Sequence, residues 1–348
     1  MVSAAVVTGQ GSAFPARYDQ RDIWDSVLAD HYGHDQVARR IFLGCGVTSR
    51  HSVVDLRAED VGRWSTGARM RRYEAEAPPL GQAAVEAALA DAGLRADEVG
   101  LLVVVSCTGY ATPGVDVRIA DELGMAGDLR RLLVGHMGCY AAIPALGAAA
   151  DFVRARGRPA VVLCLELTSL HRQPAAARHD REQLVTHALF GDGAGAIVLE
   201  PDARGGLEVL DTTAVTAPAT SELMTWHVTD HGFRMTLSPK VPDVLADHVA
   251  DATKALLAPH GLEPADVTGW AVHPGGPRIL DVVRDQLGLS VDAVSPSRAV
   301  LAEHGNCSSA TVLFVLRRLR DRARPGDPVV AMGFGPGLML CSALLQVR

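Results

Sequence analysis

The sequence has no apolar run approaching the roughly 20 residues that cross a bilayer. It also lacks a CxxC pair and any block of basic residues. With 33 Lys and Arg scattered against 40 Asp and Glu, for a net charge of −7, the footprint of a nucleic-acid binder is missing. An anionic substrate must therefore find a local positive spot. Cysteine is sparse: six residues, at 45, 107, 139, 164, 307 and 341, lie far apart in a chain too large to need disulfide staples, so they read as reduced thiols. Met1 to Phe14 has no basic flank before its apolar run and reads as a first strand rather than a signal peptide, so the expected location is the cytoplasm. His31/His34 and His227/His231 have helical spacing, yet no third ligand accompanies either pair, and no metal site is expected.

Core material is plentiful. Apolar residues make up 48% of the 348, enough for two compact domains or one large doubled one. Strand-like runs at Val2–Thr8, Gly100–Ser106, Leu132–His136 and Ala160–Leu165 are each followed by a helical stretch, an α/β pattern. Leu80–Gly93 carries apolar residues at helical spacing and stops at a glycine, as the end of a helix prefers. The second half repeats the theme. Strands are expected around Ala194–Leu199, Leu207–Thr212 and Trp270–Val272, and helices over Pro242–Leu257, after Pro277 and from Ser308 to Arg320. Closing strands fall at Pro328–Met332 and Leu338–Leu345. The turn Pro201–Gly206 is the expected seam, dividing residues 1–200 from 201–348.

Three residues stand out chemically. Cys139 follows a strand and a glycine and opens a helix of small residues, where the positive end of the helix dipole favours thiolate over thiol. Its bland reading is a buried strand-end cysteine. His273 ends a strand and precedes a sharp Pro-Gly-Gly-Pro turn, a place where α/β folds put chemistry. Asn306, flanked by Gly305 at a helix start, is an N-cap on its simplest reading. As a trio, a thiol, an imidazole and an amide donor suit acyl transfer to sulfur and charge stabilisation on a thioester oxygen. The glycines of FGDGAGA (190–196) fit neither a dinucleotide fingerprint nor a P-loop.

At these residues the sequence resembles type III polyketide synthases, the chalcone-synthase-like enzymes, from about Ala4 to Leu345. The matching pieces are SCTGYATPGVD (106–116), MGC (137–139), ALFGDGAGA (188–196), HPGGP (273–277), GNCSSA (305–310) and GFGPGL (333–338). The resemblance implies an α/β fold with a thiolase-like doubled βαβαβ core of five layers, working as a homodimer. It implies that Cys139 carries the acyl chain while His273 and Asn306 assist decarboxylation. Phe190 resembles a gatekeeper aromatic, and the second gatekeeper position falls on Met235 where plant members carry Phe. Trp226 stands where those enzymes have a small glycine, so it should fill or redirect the cavity. Cys107 and His171 are implied as pocket liners, Thr112 as the residue reaching across the dimer, and Gly335 and Pro336 as part of a rigid wall. For CoA the resemblance points to Arg40, with Arg39, Gly305 and Ser308 beside it, although Val37 and Gly44 depart from the plant pattern.

The function implied is iterative decarboxylative condensation of malonyl-CoA onto an acyl-CoA starter held on Cys139, then cyclisation to a pyrone, resorcinol or related polyphenol. CoA thioesters enter as substrates and no cofactor is implied. Two alternatives remain: a single condensation like that of ketoacyl-ACP synthase III, whose histidine is usually followed by a Gln-Ala-Asn run rather than Pro274-Gly275-Gly276-Pro277, and a non-catalytic acyl-CoA-binding paralogue, against which the intact trio argues.

Overall fold

The computed structural model describes residues 3–173 and 181–348. Its strands are β1 (Ala5–Ala13), β2 (Ala16–Asp19), β3 (Ser49–Ser52), β4 (Leu101–Val105), β5 (Arg130–Val134), β6 (Ala160–Glu166), β7 (Gly193–Pro201), β8 (Leu207–Thr216), β9 (Met224–Thr229), β10 (Gly232–Leu237), β11 (Gly269–Val272), β12 (Pro328–Gly335) and β13 (Met339–Val347). Nine of these form one sheet in the order β11-β12-β13-β8-β1-β7-β6-β4-β5. The two ends of that sheet are joined only where Val6 and Val7 of β1 pair with Glu208 and Leu207 of β8. Two ribbons, β2–β3 and β9–β10, stand apart from it.

Strand alternation builds five layers. Because successive side chains point to opposite faces, Leu101, Val103 and Val105 pack inward, against helices α3 (Ala142–Arg156) and α8 (Thr311–Arg320), while Leu102 and Val104 pack outward, against α2 (Thr66–Ala92). The second half does the same. Ala271, Ala331 and Ala343 face the central helices, whereas Trp270, Val272, Val330 and Met332 meet α5 (Val241–Leu257) and α6 (Pro277–Gln286). The small residues of α3 are what let a helix lie between two sheets: a Cβ on Gly147 would already sit 3.2 Å from the Thr212 hydroxyl on β8.

Two elements run further than the sequence predicts. Helix α2 begins at Thr66, not Leu80, and carries Pro78 and Pro79 in its interior. Pro78 has no N–H for the Glu74 carbonyl four residues back; the Arg118 guanidinium donates to that oxygen instead, at 2.7 Å. Strand β1 continues past Thr8 through Gly9 and Gly11, which read as loop residues. They are glycines because α2 presses on them: a Cβ would lie 2.2 Å from the Ala88 carbonyl oxygen at Gly9 and 2.2 Å from that of Ala84 at Gly11.

Overpacking of this kind costs about 1–3 kcal/mol. Gly11→Ala should therefore lower the stability read from the urea midpoint of unfolding by that amount at unchanged slope, and an unchanged midpoint would show that β1 and α2 can part freely.

Candidate active site

Cys139 lies in a one-turn 3-10 segment, Gly138–Tyr140, that leads into α3. Gly138 takes φ +77° here, and a Cβ on it would come within 3.0 Å of Pro336. The loop after β12 closes in from behind: a Cβ on Gly335 would sit 2.7 Å from the Tyr140 ring and 3.4 Å from the Cys139 nitrogen. His273 follows β11, its backbone N–H donating to the Met332 carbonyl at 2.8 Å. Its ring is buried, and neither nitrogen has a hydrogen-bond partner. Asn306 follows α7 (Ser295–His304); its Oδ1 accepts from the Ser308 N–H at 2.8 Å and from the Thr311 hydroxyl at 3.5 Å. That satisfies the side-chain carbonyl and leaves the amide hydrogens to donate elsewhere. The capping reading of Asn306 and the catalytic one thus use opposite ends of one side chain.

Burial dominates the electrostatics. It pushes the Cys139 thiol up to about 12; hydrogen bonds from Ser308 and Asn306 pull it back, and the nearby Glu166 carboxylate raises it further. Burial likewise drops His273 to about 3. Burial thus works against the charge that the helix start favours on the sulfur. Each shift favours the neutral form of its own group, and the imidazole that lines the same cavity is the base nearest in kind that the site offers to the thiol.

Cys139, His273, Asn306, Phe190 and Met235 all line one cavity of about 780 Å³, whose wall is mainly apolar. Arg40 of α1 (Gln36–Leu43) lines it too, as do Arg181 and Arg278. Behind Cys139 a hollow of only about 20 Å³ is bounded by Cys107, Trp226, Ser308 and Pro336. Past Trp226, Phe190 and Met235 a third space of about 60 Å³ includes His171.

Trp226 and Met235 are directly opposed across the β9–β10 ribbon. The Trp226 indole N–H donates to the Cys107 carbonyl at 2.8 Å. His171 fixes the ribbon's other strand. Its Nδ1 accepts from the Phe233 N–H at 2.9 Å, so its Nε2 carries the hydrogen and donates to the Thr108 carbonyl at 2.7 Å. Burial holds that ring neutral, lowering its pKa to about 3.

Not every expected residue falls where the sequence places it. Ser308 sits beside the Cys139 sulfur and 3.6 Å from that of Cys107. Gly305 ends α7 at φ +71°, and a Cβ there would meet the Leu189 carbonyl at 2.8 Å; it serves the turn. Arg39 does not line the cavity that Arg40 borders; Thr112 is exposed on the single chain, as a residue that reaches into a partner would be. Three residues went unread in the sequence. Arg181 and Arg278 are distant from Arg40 along the chain and meet it only in the fold. Glu166, fully buried, accepts from the Cys107 N–H, the Thr108 hydroxyl and the Ser309 hydroxyl. A carboxylate closing the apolar strand Ala160–Glu166 was its available signal.

Iodoacetamide reports the Cys139 thiolate. His273→Gln removes the proton acceptor, so alkylation at pH 7 should slow by about tenfold or more and recover only as pH climbs toward the raised thiol pKa. Coincident rate–pH curves for the variant and the parent would remove His273 from this role.

Residues 52–203 match the N-terminal domain of chalcone and stilbene synthases, and residues 208–347 match their C-terminal domain. The chain is 34% identical to the alpha-pyrone synthesis polyketide synthase-like Pks18 of Mycobacterium tuberculosis, over 99% of this chain and 92% of that protein. It is 35% identical to the 1,3,6,8-tetrahydroxynaphthalene synthase of Streptomyces peucetius subsp. caesius, over 96% of this chain and 90% of that one. Among solved structures, the tetrahydroxynaphthalene synthase of Streptomyces coelicolor superposes with a TM-score of 0.92 at 30% identity, covering 99% of both chains. The polyketide synthase PKS-I of the brown alga Ectocarpus siliculosus gives 0.91 at 30% identity, covering 100% of this chain and 99% of that one. With both domains matched along nearly its whole length, the chain belongs to the chalcone and stilbene synthase family, the type III polyketide synthases.

Proposed function

We propose that this protein loads an acyl group from an acyl-CoA starter onto Cys139, extends it with malonyl-CoA and releases a cyclised polyketide. The observation that carries this reading is the convergence, on one mainly apolar cavity, of a buried thiol, an imidazole with two unpartnered nitrogens and an amide whose oxygen is already occupied.

Those three groups dictate the steps. His273 takes the Cys139 proton, the thiolate adds to the starter carbonyl, and the Asn306 amide donates to the oxyanion. Collapse expels the CoA thiolate, which recovers the proton from His273. A malonyl-CoA then enters, its thioester oxygen facing His273 and Asn306. Loss of CO2 leaves the electron pair as an enolate on that oxygen, and the dry cavity strengthens both hydrogen bonds to it. The enolate carbon attacks the Cys139 thioester and the thiolate leaves, giving a chain two carbons longer on CoA, ready to return to sulfur. No redox step or cofactor is required. In this reading Arg40, Arg181 and Arg278, which line the cavity, hold the CoA phosphates, for which guanidinium forks are suited.

Trp226 confines the space behind Cys139, so short starters should load best. Mass spectrometry after exposure to acetyl-, hexanoyl- and palmitoyl-CoA should find an adduct on Cys139, absent in Cys139→Ala, with the shorter groups loading faster. Malonyl-CoA should then yield CO2, free CoA and a cyclic product. Absence of adduct and product across the panel, with malonyl-ACP equally inert, would sink the reading.

The same reading carries a homodimer acting in the cytoplasm. Leu132 and Leu133 of β5 and Tyr110 expose 43%, 46% and 66% of their surface at the sheet's edge region, more apolar area than a lone chain usually shows there. No helix among the described residues is long and apolar enough to cross a membrane. Light scattering should give twice the chain mass, and Leu133→Asp should halve it; a parent protein running as monomer would refute the dimer.

A further inference from the structure

Strand β3 reads Ser-Arg-His-Ser, and all four residues are buried. Burying four polar side chains in succession is costly unless each finds partners. The partners they find are concentrated on two helix ends.

Arg50 reaches the C-terminus of α4 (Arg181–Leu189). Its guanidinium donates to the carbonyls of His187 at 2.5 Å, Ala188 at 2.8 Å and Phe190 at 2.8 Å, with Gln20 Oε1 accepting from Nε at 3.0 Å. A planar fork of donors at the negative end of a helix is a strong arrangement. Burial lowers Arg50 only to about 10, so it stays charged at neutral pH.

The neighbouring residues reach the C-terminus of α7. Thr48 N–H donates to the Ala302 carbonyl at 2.8 Å, and the Ser49 hydroxyl to that of Glu303 at 2.7 Å. His51 Nδ1 faces the Pro15 carbonyl at 3.1 Å and must carry its hydrogen there. His51 Nε2 therefore accepts, and His304 Nδ1 donates to it across 3.2 Å. Phe14 stacks on both rings, at 4.6 and 4.3 Å.

Both helices run directly into the active site. The residue after α4 is the gatekeeper Phe190; the residues after α7 are Gly305 and Asn306. Phe190 and Asn306 pair as an isolated parallel bridge, Asn306 N–H donating to the Leu189 carbonyl at 2.8 Å and Gly191 N–H to that of Asn306 at 3.1 Å. Asp192 N–H, next in line, donates to the His51 carbonyl at 2.9 Å.

We propose that Arg50 and the His51–His304 pair are positioning residues, which hold the ends of α4 and α7 in register and so set the Asn306 amide and the Phe190 ring against Cys139. This rests on the reading that Asn306 donates to the reacting thioester. None of the three touches the arginines of the cavity mouth in this role, so the effect belongs on the chemical step rather than on CoA capture.

The test compares Arg50→Lys, His304→Phe and His304→Asn in malonyl-CoA decarboxylation, with Asn306→Ala alongside and thermal unfolding as a check of fold. His304→Phe keeps the stack on Phe14 but removes the donor, whereas His304→Asn restores a donor near the Nδ1 position. Arg50→Lys and His304→Phe should each lower kcat by about tenfold, as small displacements of catalytic groups do. KM for malonyl-CoA should stay within about twofold, because phosphate and pantetheine contacts are untouched. Alkylation of Cys139 at pH 7 should slow in the same two variants, because a displaced Asn306 amide no longer favours the thiolate, and His304→Asn should recover most of both losses. Parent-like kcat in folded His304→Phe, or a loss that His304→Asn shares, would overturn the proposal; if Arg50→Lys fails to fold, the His304 pair decides alone. Should Asn306→Ala itself decarboxylate at the parent rate, the reading of Asn306 falls, whereas an impaired Asn306→Ala beside unimpaired clamp variants removes only the clamp.

Discussion

Burial of Cys139 is the constraint around which the molecule is arranged. Cys139, His273 and Asn306 expose 5%, 1% and 1% of their surface, although all three must meet substrate. In so dry a setting the amide of Asn306 and the ring of His273 act on a developing oxyanion with little competition from solvent. The same dryness opposes a standing charge on sulfur or imidazole. Burial pushes the Cys139 thiol up and the His273 ring down, so a proton passing from sulfur to imidazole works against burial at both ends.

That dryness is a product of layering. A buried turn at the start of α3 requires a helix sandwiched between two halves of a sheet, which in turn requires alanine and glycine where a surface helix would carry larger residues. The glycines around Cys139 serve the same end from the other side. Gly333 and Gly335 let β12 lie against the backbone of Cys139 and Tyr140, so the wall of the site is main chain with no side chain between. A methyl at Gly333 would meet the Tyr140 Cα at 2.9 Å, and either the nucleophile or the last strands of the sheet would have to move.

Much of this was legible in the sequence because it is repetitive and apolar. Strand and helix periodicities located the layers, and the Cys139, His273 and Asn306 motifs located the chemistry, since each sits at an element's end beside a glycine or a glycine-rich turn. The misses share a physical origin. The helix read over Leu80–Gly93 stops short of Pro78 and Pro79 because the partner that excuses Pro78, Arg118, is 40 residues away and joined only by folding. Gly9 and Gly11 read as loop because nothing local announces the helix pressed against them. Strand β3 is the hardest case: Ser-Arg-His-Ser has neither alternation nor hydrophobicity, and its burial makes sense only once two distant helix ends present their carbonyls. A resemblance carries a residue's neighbourhood but not the direction of its side chain, so the contact between Ser308, at φ +48°, and the Cys139 sulfur is seen only in the fold.

Chemistry and shape are carried by different parts of the fold. Cys139, His273 and Asn306 stand at the ends of elements locked into the five layers, where a change of position would disturb the packed core. Trp226 and Met235 instead face each other on a two-stranded ribbon that shares no hydrogen-bonded edge with the large sheet. That ribbon is seated by side-chain hydrogen bonds: the Trp226 indole donates to the Cys107 carbonyl, the Phe233 N–H to the His171 ring, and the Gln173 and Gln183 amides to the carbonyls of Phe233 and Met235. Because the side chains at one cross-strand position point into the same space, one pair of substitutions can reshape the hollow behind Cys139 without touching the groups that make and break bonds. A bulky indole opposite a flexible thioether gives that hollow one stiff wall and one yielding wall. The room available to a growing chain is then set less by the 780 Å³ of the outer cavity than by how far Met235 can give way beside Trp226.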